Sequence, residues 1–113
     1  MNNRQIGKTG EEIAAEYVRS QGVKILDINF YTKHGEIDLI FKDNNYLVFC
    51  EVKLRNNSLY GSSLEAVTYS KQKKIVNAAK VYMYVKKYSF GTPVRFDVIG
   101  IDDGCIKWIK SAF

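Results

Sequence analysis

Gly35-Glu36-Ile37-Asp38-Leu39-Ile40-Phe41-Lys42-Asp43-Asn44-Asn45-Tyr46-Leu47-Val48-Phe49-Cys50-Glu51-Val52-Lys53 holds two β-rich runs, 36 to 42 and 46 to 53, around residues whose side chains tolerate positive φ. A tight hairpin is the natural reading. With the turn centred on Asn44 and Asn45, residues whose numbers sum to 89 face each other, which sets Asp38 opposite Glu51 and Glu36 opposite Lys53. Side chains alternate along a strand, so these four share one face, while Ile37, Leu39 and Phe41 meet Val52, Cys50 and Val48 on the other. A slip of one residue would mix carboxylates into that apolar set, so burial favours this register. The charged face also carries Ile40, Leu47 and Phe49. A helix is therefore expected to cover that end, leaving the carboxylates as the wall of a cleft.

Directly opposed Cβ atoms lie about 4.5 to 5.5 Å apart, and like charges so close destabilise a sheet unless something offsets them. A divalent cation between Asp38 and Glu51 would do so. Mg²⁺, or Mn²⁺ in its place, binds through a few carboxylate oxygens and keeps several waters, which suits phosphodiester hydrolysis. Lys53, two residues beyond Glu51, shares its face and can orient the attacking water or neutralise charge on the phosphate. The plainer alternative is a solvated strand face with weak cross-strand ion pairs.

Working outward, Thr9-Gly10-Glu11-Glu12 is a capping box and Gly22 a left-handed stop, which predicts a helix over 10–21. Residues 23–30 read as a strand with Val23, Ile25 and Ile28 inward. Ser62-Ser63-Leu64-Glu65 offers a second capping box, and the apolar spacing of Ala66, Ile75, Ala78, Ala79, Tyr82 and Val85 predicts a helix over 64–87. Past Gly91 and Pro93, a strand over 94–101, an Asp102-Asp103-Gly104 turn and a short strand over 105–110 complete the chain. The order is α, three strands, α, two strands. With 113 residues and neither repeat nor linker, a single domain over 1–113 is expected. No apolar run spans a bilayer and the polar start lacks a signal core, so a cytoplasmic protein without membrane contact is expected. Cys50 and Cys105 have no ligand-spaced neighbours and read as buried thiols.

The net charge is +5, unevenly spread: 55–90 holds seven Lys or Arg and one acid, Glu65. Such asymmetry favours a polyanion partner. Lys71 and Lys74 share one side of the second helix and, with Lys33 in the loop before Gly35, are candidate nucleic-acid contacts. Arg55 is the best single candidate because it follows the Glu51 strand. General solubility is the alternative for the lysines. Glu11 is either a metal ligand or a charge that favours the helix dipole. Glu36 is either a partner that positions Lys53 or a simple cross-strand pair. His34 reads as a solvated loop residue, with proton shuttling the sharper alternative. Tyr82, Tyr84 and Tyr88 read as helix packing more than base stacking. Arg95 and Asp97 alternate with Val94, Phe96 and Val98, as a structural ion pair would.

Gly35-Glu36-Ile37-Asp38, twelve residues, then Glu51-Val52-Lys53 resembles the D-x(n)-E-x-K signature of PD-(D/E)XK nucleases. Gly10-Glu11, Gly35 to Ile40, Val48 to Arg55, Glu65-Ala66-Val67 and Arg95 to Val98 together resemble the YraN family (uncharacterised protein family 0102) over about Ile6 to Ile101. That resemblance implies a restriction-endonuclease-like core in αβββαβ order, a central mixed sheet flanked by helices, similar to archaeal Holliday junction resolvases. It also implies a metal-binding Asp, Glu and Lys with a further Glu from the first helix, which are Asp38, Glu51, Lys53 and Glu11 here. None of the four is replaced. The expectation is a Mg²⁺-dependent endonuclease acting on nucleic acid, DNA first, in structured or branched form. By analogy, a junction's two symmetric strands would ask for a homodimer. The alternative from another class is an accessory protein that binds nucleic acid and cuts nothing.

Overall fold

The computed structural model describes residues 9–55 and 67–113, with Arg55 described by its backbone alone. Helix α1 spans Gly10–Ser20. Thr9 Oγ1 accepts the Glu12 N–H at 3.1 Å while Glu12 Oε1 accepts the Thr9 N–H at 2.9 Å, the reciprocal box read from the sequence. Gly22, at φ 93°, turns the chain out of the helix. Strands follow at β1 Lys24–Thr32, β2 Gly35–Asp43 and β3 Tyr46–Arg55, then helix α2 at Tyr69–Val85, then β4 Val94–Asp102 and β5 Cys105–Ile109. The sheet runs β1-β2-β3-β4-β5. Every pair is antiparallel except β3–β4, where α2 provides the crossover that parallel neighbours need. The αβββαβ order is thus followed with a fifth strand appended, paired to β4 through a turn in which Asp103 and Gly104 both take positive φ.

One helix covers each face. Ala14, Ala15 and Val18 of α1 pack on Leu39, Phe41, Val48, Cys50, Ile99 and Ile101, whereas Ala78, Ala79 and Tyr82 of α2 pack on Ile37, Ile40, Leu47 and Phe49. The helix expected over Ile40, Leu47 and Phe49 is therefore α2. Small residues on both helices let their backbones approach the sheet. A Cβ placed on Gly10 would touch Val52 Cγ1 at 3.5 Å and Leu54 Cβ at 3.6 Å, so α1 starts directly against β3. No described helix is long and apolar enough to cross a membrane.

Four expectations change. The hairpin register holds from Asp43↔Tyr46 to Leu39↔Cys50 and stops short of the expected Asp38–Glu51 and Glu36–Lys53 pairings, and Ile37 joins the α2 side and not the side of Leu39 and Phe41. Its partner in β1 is Phe30, also on the α2 side, and the change of side falls where Asn29 interrupts extended backbone at φ 56°. Strand β1 starts at Lys24, and a bulge between Ile25 and Asp27 shifts its alternation, leaving Ile28 exposed. Helix α2 begins at Tyr69, because Thr68 is extended and its Oγ1 accepts the Lys71 N–H at 3.1 Å. The box expected at Ser62 to Glu65 lies outside the described residues. Cys50 is buried as expected, whereas Cys105, at the start of the outermost strand, is exposed.

Candidate functional site

Past Leu39↔Cys50 the β2–β3 ladder does not continue as backbone pairing. There the Val52 N–H donates to Asp38 Oδ2 at 2.7 Å, a side-chain carboxylate taking the part of a strand carbonyl. Asp38 is 7% exposed, and this short bond fixes its carboxyl group against β3. Burial first, and the charge of Glu51 next, push its pKa up to about 8, with Glu11 and Glu36 adding to the effect and the Val52 bond opposing it. A second carboxylate nearby penalises ionisation of a group already drawn out of water.

Glu51 and Lys53 wall an open hollow of about 270 Å³ with Val67, Thr68 and Lys71, at the N-terminal end of α2. Lys71 Nζ stands 3.5 Å from Glu51 Oε2, a half-exposed ion pair. Asp38 lies beside this hollow and not in its wall, yet Glu51 is near enough for its charge to act on Asp38. Lys71, a candidate nucleic-acid contact from the sequence, faces Glu51, whereas the Val52 N–H is a participant for which the sequence carried no signal.

The remaining candidates divide. Glu11 is half-buried on the first turn of α1, where its charge reaches Asp38. Glu36 pairs with Tyr31 of β1, and hydrogen bonding to Glu36 pushes the Tyr31 phenol above its ordinary pKa. His34 and Lys33 are exposed in a turn that Thr32 organises, its Oγ1 accepting the His34 N–H at 3.0 Å. Lys74 packs over that turn, since a Cβ on Gly35 would sit 3.5 Å from Lys74 Cβ. The Arg55 side chain lies outside the described residues. Tyr82 is buried and forms edge contacts with Phe30 and Phe49, as packing requires, while Tyr84 is exposed. Arg95 and Asp97 form the expected ion pair at 2.8 Å; Asp97 is wholly buried and accepts further bonds from Trp108 Nε1 and the Ser111 N–H. That cluster is structural, and among the described residues no buried side-chain nitrogen or oxygen lacks a partner.

No described group of three His, Cys, Asp or Glu side chains is placed to hold a metal ion, so Glu11 does not complete a three-carboxylate set. Two oxygen donors from β2 and β3 remain. A hard cation that retains most of its waters fits a pair, and it would offset the charge that Glu51 places on the buried Asp38. The class defined by this sheet and its helices is an α/β domain, a five-stranded mixed sheet with a helix on each face, compatible with a nuclease-like core. The sequence model of the uncharacterised protein family UPF0102 matches residues 10–101, and the chain belongs to that family. It is 44% identical to a UPF0102 protein of Vibrio campbellii over 98% of this chain and 93% of the relative. A UPF0102 protein of Clostridium botulinum is 44% identical over 98% of this chain and 95% of its own length. A third, from Thermodesulfovibrio yellowstonii, is 44% identical over 96% of both chains.

Proposed function

We propose that the chain is a metal-dependent nuclease that hydrolyses phosphodiester bonds, with structured or branched DNA as its substrate. The observation that carries this reading is the Asp38 carboxylate, buried, held by the Val52 N–H at 2.7 Å and loaded by the charge of Glu51 where the two strands stop pairing. Asp38 and Glu51 are the residues that would hold Mg²⁺ or Mn²⁺. When bound, such an ion supplies charge neutralisation at the phosphate and a more acidic water. Lys53, in the same hollow as Glu51, places a positive charge where a phosphate oxygen gains negative charge. Lys71 balances Glu51 at 3.5 Å, and its ammonium would be available to a phosphate if Glu51 held a cation. Lys33 and Lys74, gathered about the Thr32–Gly35 turn, position the nucleic-acid backbone without reading its sequence.

The Lys71–Glu51 pair also favours a second reading, in which a lysine replaces the metal and the protein binds nucleic acid without cutting it. Incubation with branched, single-stranded and duplex DNA and with RNA, in Mg²⁺, Mn²⁺ or chelator, separates the two. The nuclease reading expects cutting of branched DNA that chelator abolishes and that Asp38→Ala lowers at least roughly 100-fold. Binding without cutting on every substrate would leave the accessory reading standing.

A further inference from the structure

Helix α2 buries Ile75, Ala78, Ala79 and Tyr82, so its opposite arc faces solvent. At 100° per residue that arc carries Tyr69, Lys73, Lys80 and Tyr84 in one row, and Phe90 stands fully exposed just past the helix end. Tyr69 is 74% exposed and Tyr84 86%, an unusual outlay of aromatic surface on water. The row spans about 22 Å at roughly 1.5 Å per residue. Lys73 Nζ lies 5.5 Å over the Tyr69 ring, so cation and ring already share one place. Two shallow depressions meet at Lys80. One of about 270 Å³ includes Tyr69, Lys73 and Val76, and one of about 350 Å³ includes Met83, Tyr84, Tyr88 and Phe90. They make a continuous tract with rings at both ends and ammonium groups between them.

Charge selects the occupant. Residues 67–96 contain no Asp or Glu and seven Lys or Arg. A second copy of this face would set lysines against lysines, and the row has no acceptor carboxylate for a basic partner. A membrane-surface helix separates its apolar and basic arcs, whereas here rings and lysines share one arc. Exposed rings with cations between them match an unpaired polynucleotide, whose bases offer π faces and whose phosphates offer charge. Duplex DNA keeps its bases stacked on each other and has no use for the rings.

We infer that the outer face of α2, from Tyr69 to Tyr84 and on to Phe90, is a single-strand-binding tract on which bases stack and which Lys73 and Lys80 hold by the phosphates. This rests on the nucleic-acid reading above but not on cleavage. The tract starts next to Thr68, which lines the Glu51 hollow, so an unpaired arm lying on it ends beside the candidate active site. A branched or frayed substrate supplies such an arm.

The test is fluorescence anisotropy of labelled oligothymidylate of about 16 nucleotides, against a duplex of equal length, in chelator so that nothing is cut. Tyr84→Ala and Tyr69→Ala are each expected to weaken single-strand binding roughly 5- to 150-fold, leaving duplex binding unchanged, while Tyr84→Phe retains it. Lys80→Ala should reduce the salt slope by about 0.7. Thermal melts of all four should match the parent, since the side chains are exposed. Loss on Lys80→Ala with no loss on either tyrosine change would overturn the stacking tract. So would tighter binding of anionic vesicles or polyglutamate than of the oligonucleotide. A parent protein that cuts DNA but shows no tyrosine dependence would sink this inference alone; one that cuts nothing yet shows it would sink only the nuclease reading.

Discussion

Asp38 and Asp43 stand on one strand, and their surroundings drive them apart. Asp38 is pushed up by burial and by Glu51. Burial also pulls Asp43 up, but the Arg95 hydrogen bond and the charges of Lys110 and Arg95 outweigh it, and its pKa falls below the ordinary carboxylate value. A carboxylate whose folded pKa is depressed contributes stability that is present above its unfolded value, about 3.9, and is lost as pH falls through the folded value. Stability should therefore decline below about pH 4, and Asp43→Asn should flatten that limb while costing about 1 kcal/mol or less at pH 7, as urea denaturation across pH would report. Lys53 is predicted to act on the reacting phosphate and not on metal affinity. Lys53→Ala should lower the cleavage rate roughly 100-fold or more while leaving Mn²⁺ affinity within about threefold.

At the scale of elements, the hairpin was readable because two rules agreed on it. An Asn-Asn turn set the pairing, and alternating burial in Leu39, Phe41, Val48 and Cys50 forbade a slip. Asn44 takes φ 54°, as that reading requires. What escaped was the local break. Ile37 looked like a continuation of Leu39, and only the left-handed Asn29 on the neighbouring strand, with the crossing of Phe30 and Ile37 to the α2 side, shows why Asp38 sits where pairing ends. A sequence read strand by strand carries no signal for that. Asn29→Val, a β-branched residue forced to φ 56°, should cost about 1 to 2 kcal/mol in stability and weaken metal binding by disturbing Asp38; Asn29→Gly should preserve both. Denaturant melts and Mn²⁺ titration of the two variants would check this.

Across the whole molecule, the sheet holds the candidate site on its strands while each helix covers one face. Helix α1 brings Glu11 toward Asp38 because Gly10 sits against Val52 and Leu54, and α2 brings Lys71 to Glu51 because Thr68 starts it beside the hollow. The two helices and the carboxylate-bearing strands were legible from pattern, and the mixed-sheet fold class from the family resemblance. The appended β5, which supplies Trp108 to Asp97, was legible as a strand, but its role in burying Arg95 and Asp97 was not, because that contact joins residues far apart in the chain. Tyr84, read as packing, is exposed for a related reason: helical spacing gives an arc, and only the packed sheet says which arc is covered.

The central claim is that Asp38 and Glu51 jointly clasp one divalent cation. Electron paramagnetic resonance of Mn²⁺ titrated into the purified protein measures that without reference to any substrate. The account predicts one ion per chain, displaced by Mg²⁺ and lost in Asp38→Asn and in Glu51→Gln while both variants keep the parent's circular dichroism. Mn²⁺ bound equally well by both variants, or not bound by the parent protein, would contradict it.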